Sequence, residues 1–281
     1  MRYLAAVVQT TSTPSVEASM GEAEARVRAA AGAGARLVAL PEGASYIGPE
    51  GTQADVAEPL DGPVFARWSA LARELGIVLS AGTSPERSPD PDRPYNTAVV
   101  FGPDGARWAV YRKLHLFDVD LSPEGPRIAE SDRTRPGDVP VLCSTPFGRL
   151  GLTVCYDLRF GRLYEDLVAA GAELLLVPSA FTVPTGRDHW EVLLRARAIE
   201  FQCWVLAAAQ VGRHCPGRRS YGRSIIVDPW GTVVATVPDG GRFALAEIDL
   251  DRVKEVRRQM PRAAHLRALP PPDRQGDRKS V

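Results

Sequence analysis

The chain has 281 residues, which is long enough for one large α/β domain with a sizeable core. Lysine plus arginine and aspartate plus glutamate each total 34, so the formal net charge is zero. A neutral chain sets up no long-range field that would attract nucleic acid or an anionic membrane, and we expect neither among its partners.

The cysteine spacing, the first residues and the length of the apolar runs are typical of a cytoplasmic protein. Its four cysteines form no Cys-x-x-Cys pair, and the first ten residues read as a strand and a turn, not as a signal peptide. No apolar run reaches the roughly 20 residues that a bilayer span requires. The four histidines are dispersed, with no His-x-x-x-His spacing, so we expect no metal ion and no other cofactor.

Short apolar runs alternate with segments of helical period along the chain. Strands are predicted at Leu4–Val8, Leu37–Leu40, Ile77–Ala81, Gly151–Cys155, Leu174–Val177, Trp204–Ala209 and Phe243–Ile248. Helices are predicted at Val16–Ala31, Val64–Leu75, Leu163–Ala170 and His189–Gln202. Hairpins are predicted around two turns, pairing Thr97–Phe101 with Trp108–Tyr111 and Ser224–Val227 with Val233–Val237.

This order of elements indicates the fold class and the domain organisation. Strand–helix alternation interrupted by hairpins favours an α/β fold with a mixed sheet, or two sheets with helices outside. No linker and no internal repeat precedes Pro261. We predict one domain over residues 1–260, followed by a tail over 261–281 that is rich in proline and arginine and poor in apolar residues.

Cys155 is the first residue at which chemistry is expected. It ends an apolar run and is followed at once by the polar segment that begins with Tyr156. A thiol that enters a turn at a strand end lies close to backbone N–H groups, which can hold an oxyanion. An isolated cysteine in a strand is, however, more often a buried packing residue.

Glu42 and Lys113 supply two further groups that acyl transfer requires. Each lies just past the end of a predicted strand, and Cys155 is the last residue of another. The Glu42 carboxylate is suited to accept a proton from a thiol, although a solvated loop glutamate is the ordinary interpretation. An ammonium such as that of Lys113 can lower the pKa of a thiol, and the apolar neighbours of Lys113 disfavour a solvated surface position.

Several segments of the chain resemble the nitrilase superfamily, and within it the Nit branch, which includes deaminated glutathione amidases and ω-amidases. The resemblance rests on Leu40-Pro41-Glu42, on the segments over residues 111–118, 151–160, 185–191 and 195–200, and on Asp228-Pro229-Trp230-Gly231. These segments occur in the order typical of the family and extend from the first strand to about Leu250.

The resemblance implies both a fold and a set of site residues. The implied fold is an αββα sandwich that a homodimer interface doubles into four layers. The implied catalytic residues are Glu42, Lys113 and Cys155, with Glu130 as a second glutamate. Arg159 is implied to meet a carboxylate of the substrate, because a planar guanidinium grips a carboxylate at two points. The resemblance also places Tyr156 and Thr185 in the substrate pocket.

The activity that the resemblance implies is hydrolysis of a non-peptide amide through a thioester. A nitrilase would have Cys-Trp-Glu where this chain has Cys155-Tyr156-Asp157, which favours an amide over a nitrile. The expected partner is a small-molecule amide that bears a carboxylate, such as deaminated glutathione or an ω-amide of a dicarboxylic acid. Amidohydrolysis of N-carbamoyl acids is an alternative substrate class.

Some residues leave room for other functions. The chain departs from the branch pattern at Gly161, Arg162, Phe201 and Arg223, which admits a catalytically silent binding protein on the same fold. A second enzyme hypothesis pairs Cys155 with His189, as in a cysteine peptidase. The intact set of Glu42, Lys113 and Cys155 favours the amidase over both alternatives.

Overall fold

A computed structural model of the chain describes residues 1–123 and 127–268. Its strands are β1 (Arg2–Thr10), β2 (Leu37–Ala39), β3 (Val78–Glu86), β4 (Tyr95–Phe101), β5 (Arg107–Arg112), β6 (Asp118–Asp120), β7 (Arg127–Ala129), β8 (Val141–Thr145), β9 (Gly148–Leu152), β10 (Leu174–Leu176), β11 (Trp204–Ala207), β12 (Ala209–Cys215), β13 (Arg218–Tyr221), β14 (Ile225–Val227), β15 (Val233–Thr236) and β16 (Phe243–Asp249). Its α-helices are α1 (Val16–Gly32), α2 (Pro63–Leu75), α3 (Gly161–Ala169), α4 (Val183–Phe201), α5 (Leu250–Gln259) and α6 (Arg262–His265). Short 3₁₀ helices cover Ala54–Val56, Glu130–Asp132 and Cys155–Arg159.

Two sheets contain most of the strands. The first sheet has the order β13-β12-β1-β2-β3-β4-β5, with β16 also paired to β1, and the second has the order β15-β14-β11-β10-β9-β8. Strands β1, β2 and β3 run parallel in the first sheet, as do β9, β10 and β11 in the second. Parallel strands covered on both faces are apolar along their whole length, which explains the unbroken apolar runs in the sequence.

Alternating side chains of each central strand face two different layers. In β1, Ala5 and Val7 join the core between the sheets, whereas Ala6 and Val8 pack with the residues of α1 and α2. Helices α3 and α4 contact strands of the second sheet. The layers therefore run helix, sheet, sheet, helix, and the predicted αββα sandwich is confirmed.

Helix α4 differs from its sequence-based prediction. It begins at Val183, whereas the pattern predicted a start at His189, because Pro184 and Gly186 are typical of a loop. Pro184 lies in the first turn, where its missing N–H group has no intrahelical partner to lose. Gly186 allows a close approach to β13, since a Cβ atom there would lie 2.3 Å from the Cβ atom of Tyr221.

Other elements were predicted imperfectly or not at all. The predicted strand Gly151–Cys155 ends at Leu152, so Cys155 lies in the turn beyond β9. No sequence pattern predicted β6, β7, β8, β13, α5 or most of β12, which are short, polar or both. In the predicted tail, α6 forms and Arg262 pairs with Glu165 at 2.8 Å. Residues 269–281 of the tail lie outside the described residues, and the domain boundary stays a prediction.

Across residues 1–123 and 127–268, no helix combines the length and the apolar composition needed to cross a membrane.

Gly82 lies where β3 approaches the segment that carries Glu42. The pairing of β3 with β4 shifts register between Ser80 and Thr83, and Gly82 has φ +62°. The Pro41 carbonyl accepts a hydrogen bond from the Thr83 amide at 3.3 Å. A Cβ atom on Gly82 would lie 2.0 Å from the Pro41 oxygen, so only glycine permits this contact.

The variant Gly82→Ala is expected to be markedly less stable than Gly240→Ala. Both glycines have positive φ, but a Cβ atom at Gly240 meets no atom within 4 Å. The difference therefore isolates the clash with Pro41, which should lower the free energy of unfolding by about 1 to 3 kcal/mol beyond the cost seen at Gly240. Urea unfolding of the two variants measures it, and equal stabilities would show that β3 accommodates the added methyl group.

His214 fixes the β12–β13 hairpin to the loop that follows β1. Its Nδ1 donates to the Ser12 carbonyl at 2.8 Å, and its Nε2 accepts from the Ser220 hydroxyl at 2.9 Å. Burial, together with the nearby positive charge of Arg218, lowers the pKa of His214 from 6.5 to about 4, although the hydrogen bond to Ser12 acts in the opposite direction. The neutral imidazole is therefore the form that the fold stabilises.

Acidification from pH 7 to pH 5 should destabilise the protein through His214. The unfolded chain takes up this proton near pH 6.5 and the folded chain only near pH 4, so stability is lost as the pH falls through that window. The variant His214→Gln should lose about 2 kcal/mol less than the wild type between pH 7 and pH 5 in urea titrations. His265→Gln, on the exposed α6, serves as the control. Identical pH dependence in the wild type and His214→Gln would contradict this role.

Candidate active site

Residues from both sheets meet at one end of the sandwich. Glu42 follows β2 and Lys113 follows β5 in the first sheet, whereas Cys155 follows β9 in the second. Glu130 reaches the same point from the 3₁₀ helix that follows β7. The structure therefore brings together all four residues that the sequence predicts as catalytic.

Lys113 lies between two carboxylates. Its Nζ donates to Glu42 Oε1 at 3.0 Å and to the two oxygens of Glu130 at 3.0 and 2.8 Å. The Lys113 side chain is only 2% exposed. Burial alone would lower the pKa of Lys113, but the charges of Glu130 and Glu42 outweigh it and hold that pKa well above 10.5. The ammonium is therefore a permanent positive charge beside Cys155.

Glu42 is held by donors on both of its oxygens. Besides Lys113, the Asn96 side-chain amide donates to Oε1 at 2.9 Å, and the Ala180 backbone amide donates to Oε2 at 3.0 Å. The backbone carbonyl of Asn96 also accepts a hydrogen bond from the backbone amide of Lys113 at 3.0 Å. Asn96 thus fixes the relative positions of Glu42 and Lys113. Asn96 was not predicted as a site residue, because nothing in the neighbouring sequence distinguishes it from an ordinary strand residue.

Cys155 has a backbone conformation that is rare for a side-chain-bearing residue. Its φ of +48° lies in the left-handed region, and it begins a 3₁₀ helix. The amides of a first helical turn lack carbonyl partners within the helix, and the Tyr156 amide is one of them. Burial and the Glu42 carboxylate raise the pKa of the Cys155 thiol well above 9.0, although Lys113 acts in the opposite direction. The resting thiol is therefore protonated, with Glu42 in contact to accept its proton.

Asp157 ties the turn of Cys155 to the segment of Lys113. This carboxylate is fully buried and accepts hydrogen bonds from the Val154 amide at 2.8 Å and the Tyr111 hydroxyl at 2.6 Å. Its other oxygen accepts from the backbone amide of His115 at 3.0 Å and from the His115 ring at 2.7 Å. In the sequence, Asp157 served only to distinguish the chain from a nitrilase, and its positioning role was not predicted.

A cavity of about 620 Å³ contains the four predicted catalytic residues in its lining. It extends from the buried Glu42, Lys113 and Cys155 to exposed residues such as Pro216 and Gly217 on the β12–β13 hairpin. Aromatic and apolar side chains, including Tyr46, Phe117, Ile128 and Val183, form part of the wall. The volume and this mixture of apolar and polar groups suit a small organic ligand.

The three residues predicted to bind substrate lie beside this cavity and not in its lining. Arg159 bonds to His189 Nδ1 at 3.1 Å, and its guanidinium lies 5.7 Å from the centre of the Phe181 ring. The Tyr156 ring packs edge-to-face on Phe117, which lines the cavity. The Thr185 hydroxyl contacts that of Thr182, another lining residue, at 2.8 Å.

The positions that depart from the branch pattern also lie outside the lining. Arg162 is exposed and pairs with Asp166, and Phe201 stacks on Tyr164. Arg223 has φ +63° and its carbonyl accepts the indole N–H of Trp190 at 2.7 Å. His189 is exposed and contacts Arg159, so its described contacts do not include the pairing with Cys155 that a cysteine peptidase requires.

In the described part of the chain, no group of three or more His, Cys, Asp or Glu residues is arranged to hold a metal ion. The expectation that the protein needs no cofactor stays a prediction.

Comparison with known proteins extends over nearly the whole chain. Residues 4–258 match the family model described as carbon–nitrogen hydrolase. A deaminated glutathione amidase of Bos taurus is 47% identical over 272 residues, covering 94% of this chain and 82% of the relative. A protein of the same name from Synechocystis is 41% identical, covering 94% of this chain and 97% of the relative.

A solved structure gives the same result. The NitFhit protein of Caenorhabditis elegans superposes with a TM-score of 0.88 at 41% identity. The match covers 95% of this chain, whereas this chain spans 65% of the NitFhit chain. The αββα sandwich, the matching family model and these relatives together show that the chain belongs to the carbon–nitrogen hydrolase family, within the nitrilase superfamily.

Proposed function

We propose that the protein is a thiol-dependent amidase in which Cys155 is the nucleophile, Glu42 the general base and Lys113 an oxyanion-stabilising cation. The observation that carries this proposal is the meeting of the buried Cys155 thiol, Glu42 and Lys113 in the lining of one cavity, with Lys113 Nζ donating to Glu42 at 3.0 Å. A nucleophile, a base within reach and a fixed cation are the groups that acyl transfer requires.

The first half of the reaction forms a thioester. Cys155 Sγ attacks the amide carbonyl carbon while Glu42 accepts the thiol proton, so that an S–C bond forms and the carbonyl oxygen becomes an oxyanion. Lys113 and the Tyr156 amide stabilise that oxyanion. Glu42 then gives the proton to the amine nitrogen, the C–N bond breaks and the amine leaves.

The second half releases the acid. Water attacks the thioester carbonyl as Glu42 accepts one of its protons, and the C–S bond breaks. The proton returns from Glu42 to Sγ, which restores the thiol and leaves a carboxylic acid as product. Glu130 keeps Lys113 in place throughout, since it accepts from Nζ with both oxygens and from the Phe117 amide at 2.7 Å.

We propose a substrate that carries a carboxylate on the acyl side of the reacting amide, at the other end of the acyl chain. The names of the curated relatives favour deaminated glutathione, and Arg159 supplies a cation four residues after Cys155. ω-Amides of dicarboxylic acids share this acyl group, whereas N-carbamoyl acids remain the alternative substrate class. Tyr156 and Thr185 support this pocket through Phe117 and Thr182.

We also propose a cytoplasmic homodimer. All four cysteines are free and buried, in keeping with a reducing compartment. On α4, Val192 and Ile199 are 67% and 46% exposed, and they lie two helical turns apart on one face. The adjacent Trp230 is 48% exposed, and exposed apolar patches of this kind mark interaction sites.

Replacing Cys155 by alanine should abolish amide hydrolysis while the fold survives. Ammonia or amine release from deaminated glutathione, α-ketoglutaramate, an N-carbamoyl acid and a nitrile would be measured for the wild type, Cys155→Ala and Glu42→Gln. Both variants should lose at least about 1,000-fold in kcat/KM on every substrate that the wild type turns over, because Cys155→Ala lacks the nucleophile and Glu42→Gln lacks the base that accepts the thiol proton.

The matched control for this experiment is Cys143→Ala, which removes another buried thiol outside the cavity lining. Substantial turnover by a folded Cys155→Ala variant would contradict the proposed nucleophile. A wild-type protein silent on all the amides would instead favour the non-catalytic binding protein.

If the exposed face of α4 forms the dimer interface, charged substitutions on that face should halve the mass of the protein in solution. Light scattering should give twice the 30.4 kDa of one chain for the wild type and a single-chain mass for the double variant Val192→Asp, Ile199→Asp, because two charges would be buried in the interface. Val139→Asp, at a 59% exposed position before β8, should remain dimeric. A monomeric wild type, or a double variant that stays dimeric, would rule out this interface.

A further inference from the structure

The β12–β13 hairpin places two arginines on the wall of the cavity that contains Cys155. Arg218 is half-buried, Arg219 is exposed, and both belong to the lining. Within residues 1–123 and 127–268, neither guanidinium forms an ion pair. Arg133, the other arginine of the lining, is paired with Glu50 at 2.9 Å. Arg218 and Arg219 therefore bring uncompensated positive charge to this wall.

Arg218 is oriented by the backbone of a neighbouring loop. Its Nη1 donates to the Gly48 carbonyl at 3.1 Å, and Gly48 also lines the cavity. A guanidinium has five N–H donors in a fixed plane, so one bond to a carbonyl leaves an edge free for a second acceptor. A carboxylate is the group that matches such an edge, because its two oxygens accept from it in parallel.

The charges deeper in the cavity make such a cation necessary for an anionic substrate. Two carboxylates, those of Glu42 and Glu130, lie there against the single ammonium of Lys113. The buried end of the cavity is therefore negative overall and repels a carboxylate. An anionic group of the substrate has to be met elsewhere, and the hairpin supplies the unpaired cations of the wall.

The same hairpin is joined to the segment that carries Glu42, the proposed proton donor to the leaving amine. Under the proposed function, Glu42 protonates the departing nitrogen. The loop from Glu42 to Gly48 is bonded to the hairpin at both ends, since Gln210 Nε2 donates to the Glu42 carbonyl at 3.0 Å and Arg218 to that of Gly48. Arg159 lies instead on the 3₁₀ helix of Cys155, beside Phe181. The two cationic positions thus lie on different elements, one on the 3₁₀ helix that begins at Cys155 and one on the β12–β13 hairpin.

We propose that Arg218 and Arg219 form a subsite for a carboxylate on the amine half of the substrate. This inference rests on the proposed amidase function and narrows its substrate class to secondary amides that carry a carboxylate on each side of the scissile C–N bond. The acyl-half carboxylate is assigned to Arg159 and the amine-half carboxylate to the hairpin. Deaminated glutathione has this form, with a cysteinylglycine leaving group, whereas α-ketoglutaramate shares the acyl half and releases only ammonia.

The test compares these two substrates through their common acid product, α-ketoglutarate. The readout is the ratio of kcat/KM for deaminated glutathione to kcat/KM for α-ketoglutaramate, which cancels any general damage to the active site. The double variant Arg218→Gln, Arg219→Gln should lower that ratio by about 10- to 100-fold, the range expected for a lost charge-assisted pair. Arg218→Lys, Arg219→Lys, which keeps the charge, should recover part of it.

A matched control and a modified substrate separate the subsite from general electrostatics. Arg213→Gln removes one charge from the same hairpin outside the lining and should leave the ratio at the wild-type value. Deaminated glutathione with its glycine carboxylate converted to an amide should be a poorer substrate for the wild type, and its kcat/KM should not fall further in the double glutamine variant.

The possible failures are distinguishable. If the wild type hydrolyses α-ketoglutaramate but the ratio is unchanged in the double glutamine variant, the subsite is refuted and the amidase proposal stands. An equal fall for both substrates likewise assigns Arg218 and Arg219 a structural role only. If the wild type hydrolyses neither substrate, nor any other amide, the amidase proposal fails and the subsite fails with it.

Discussion

The buried ammonium of Lys113 depends on the carboxylates of Glu42 and Glu130. Removing an unpaired charge from water costs several kcal/mol or more, so a lysine that is 2% exposed persists only where carboxylates and hydrogen bonds replace the lost water. Both glutamates supply this compensation, since they bond to Lys113 from different segments at 2.8 to 3.0 Å. The rest of the site is arranged around this cluster, with Cys155 beside a carboxylate whose direction is already fixed.

The surrounding fold holds two parts of the site rigidly: the turn that carries Cys155, and the pair formed by Glu42 and Lys113. Asp157 is fully buried and accepts four hydrogen bonds, which hold the turn after β9 against the segment after β5. That anchorage lets Cys155 keep a φ of +48°, a conformation that costs free energy for any residue with a side chain. Asn96 likewise holds Glu42 and Lys113 in fixed positions, because its side chain bonds to Glu42 and its backbone carbonyl bonds to Lys113.

Much of this arrangement follows from the sequence, and the limits have physical causes. Apolar runs predict the central strands because burial on both faces leaves no room for polar residues, as in β10 and β11. The carboxylate, the ammonium and the thiol were each predicted at or just past the end of a strand, and the structure brings them together. The start of α4 was missed because Pro184 and Gly186 signal a loop locally, while contacts with β13 decide the outcome. Asn96 and Asp157 each bond to at least one residue more than 40 positions away, Glu42 and Tyr111 respectively, which no local pattern reveals.

Because the site is built from two sheets, the two parts of the core differ in how well they tolerate amino-acid substitutions. Glu42 and Lys113 move with the first sheet and Cys155 with the second, so their separation depends on how the two sheets stack. Side chains such as Val7 and Leu152 between the sheets set that stacking, whereas those beneath α1 and α2, such as Met20 and Trp68, do not. A misplacement of about 1 Å between reacting groups can cost roughly 100-fold in rate. The inner core is thus constrained by catalysis as well as by stability, and the core under α1 and α2 is freer to drift in sequence.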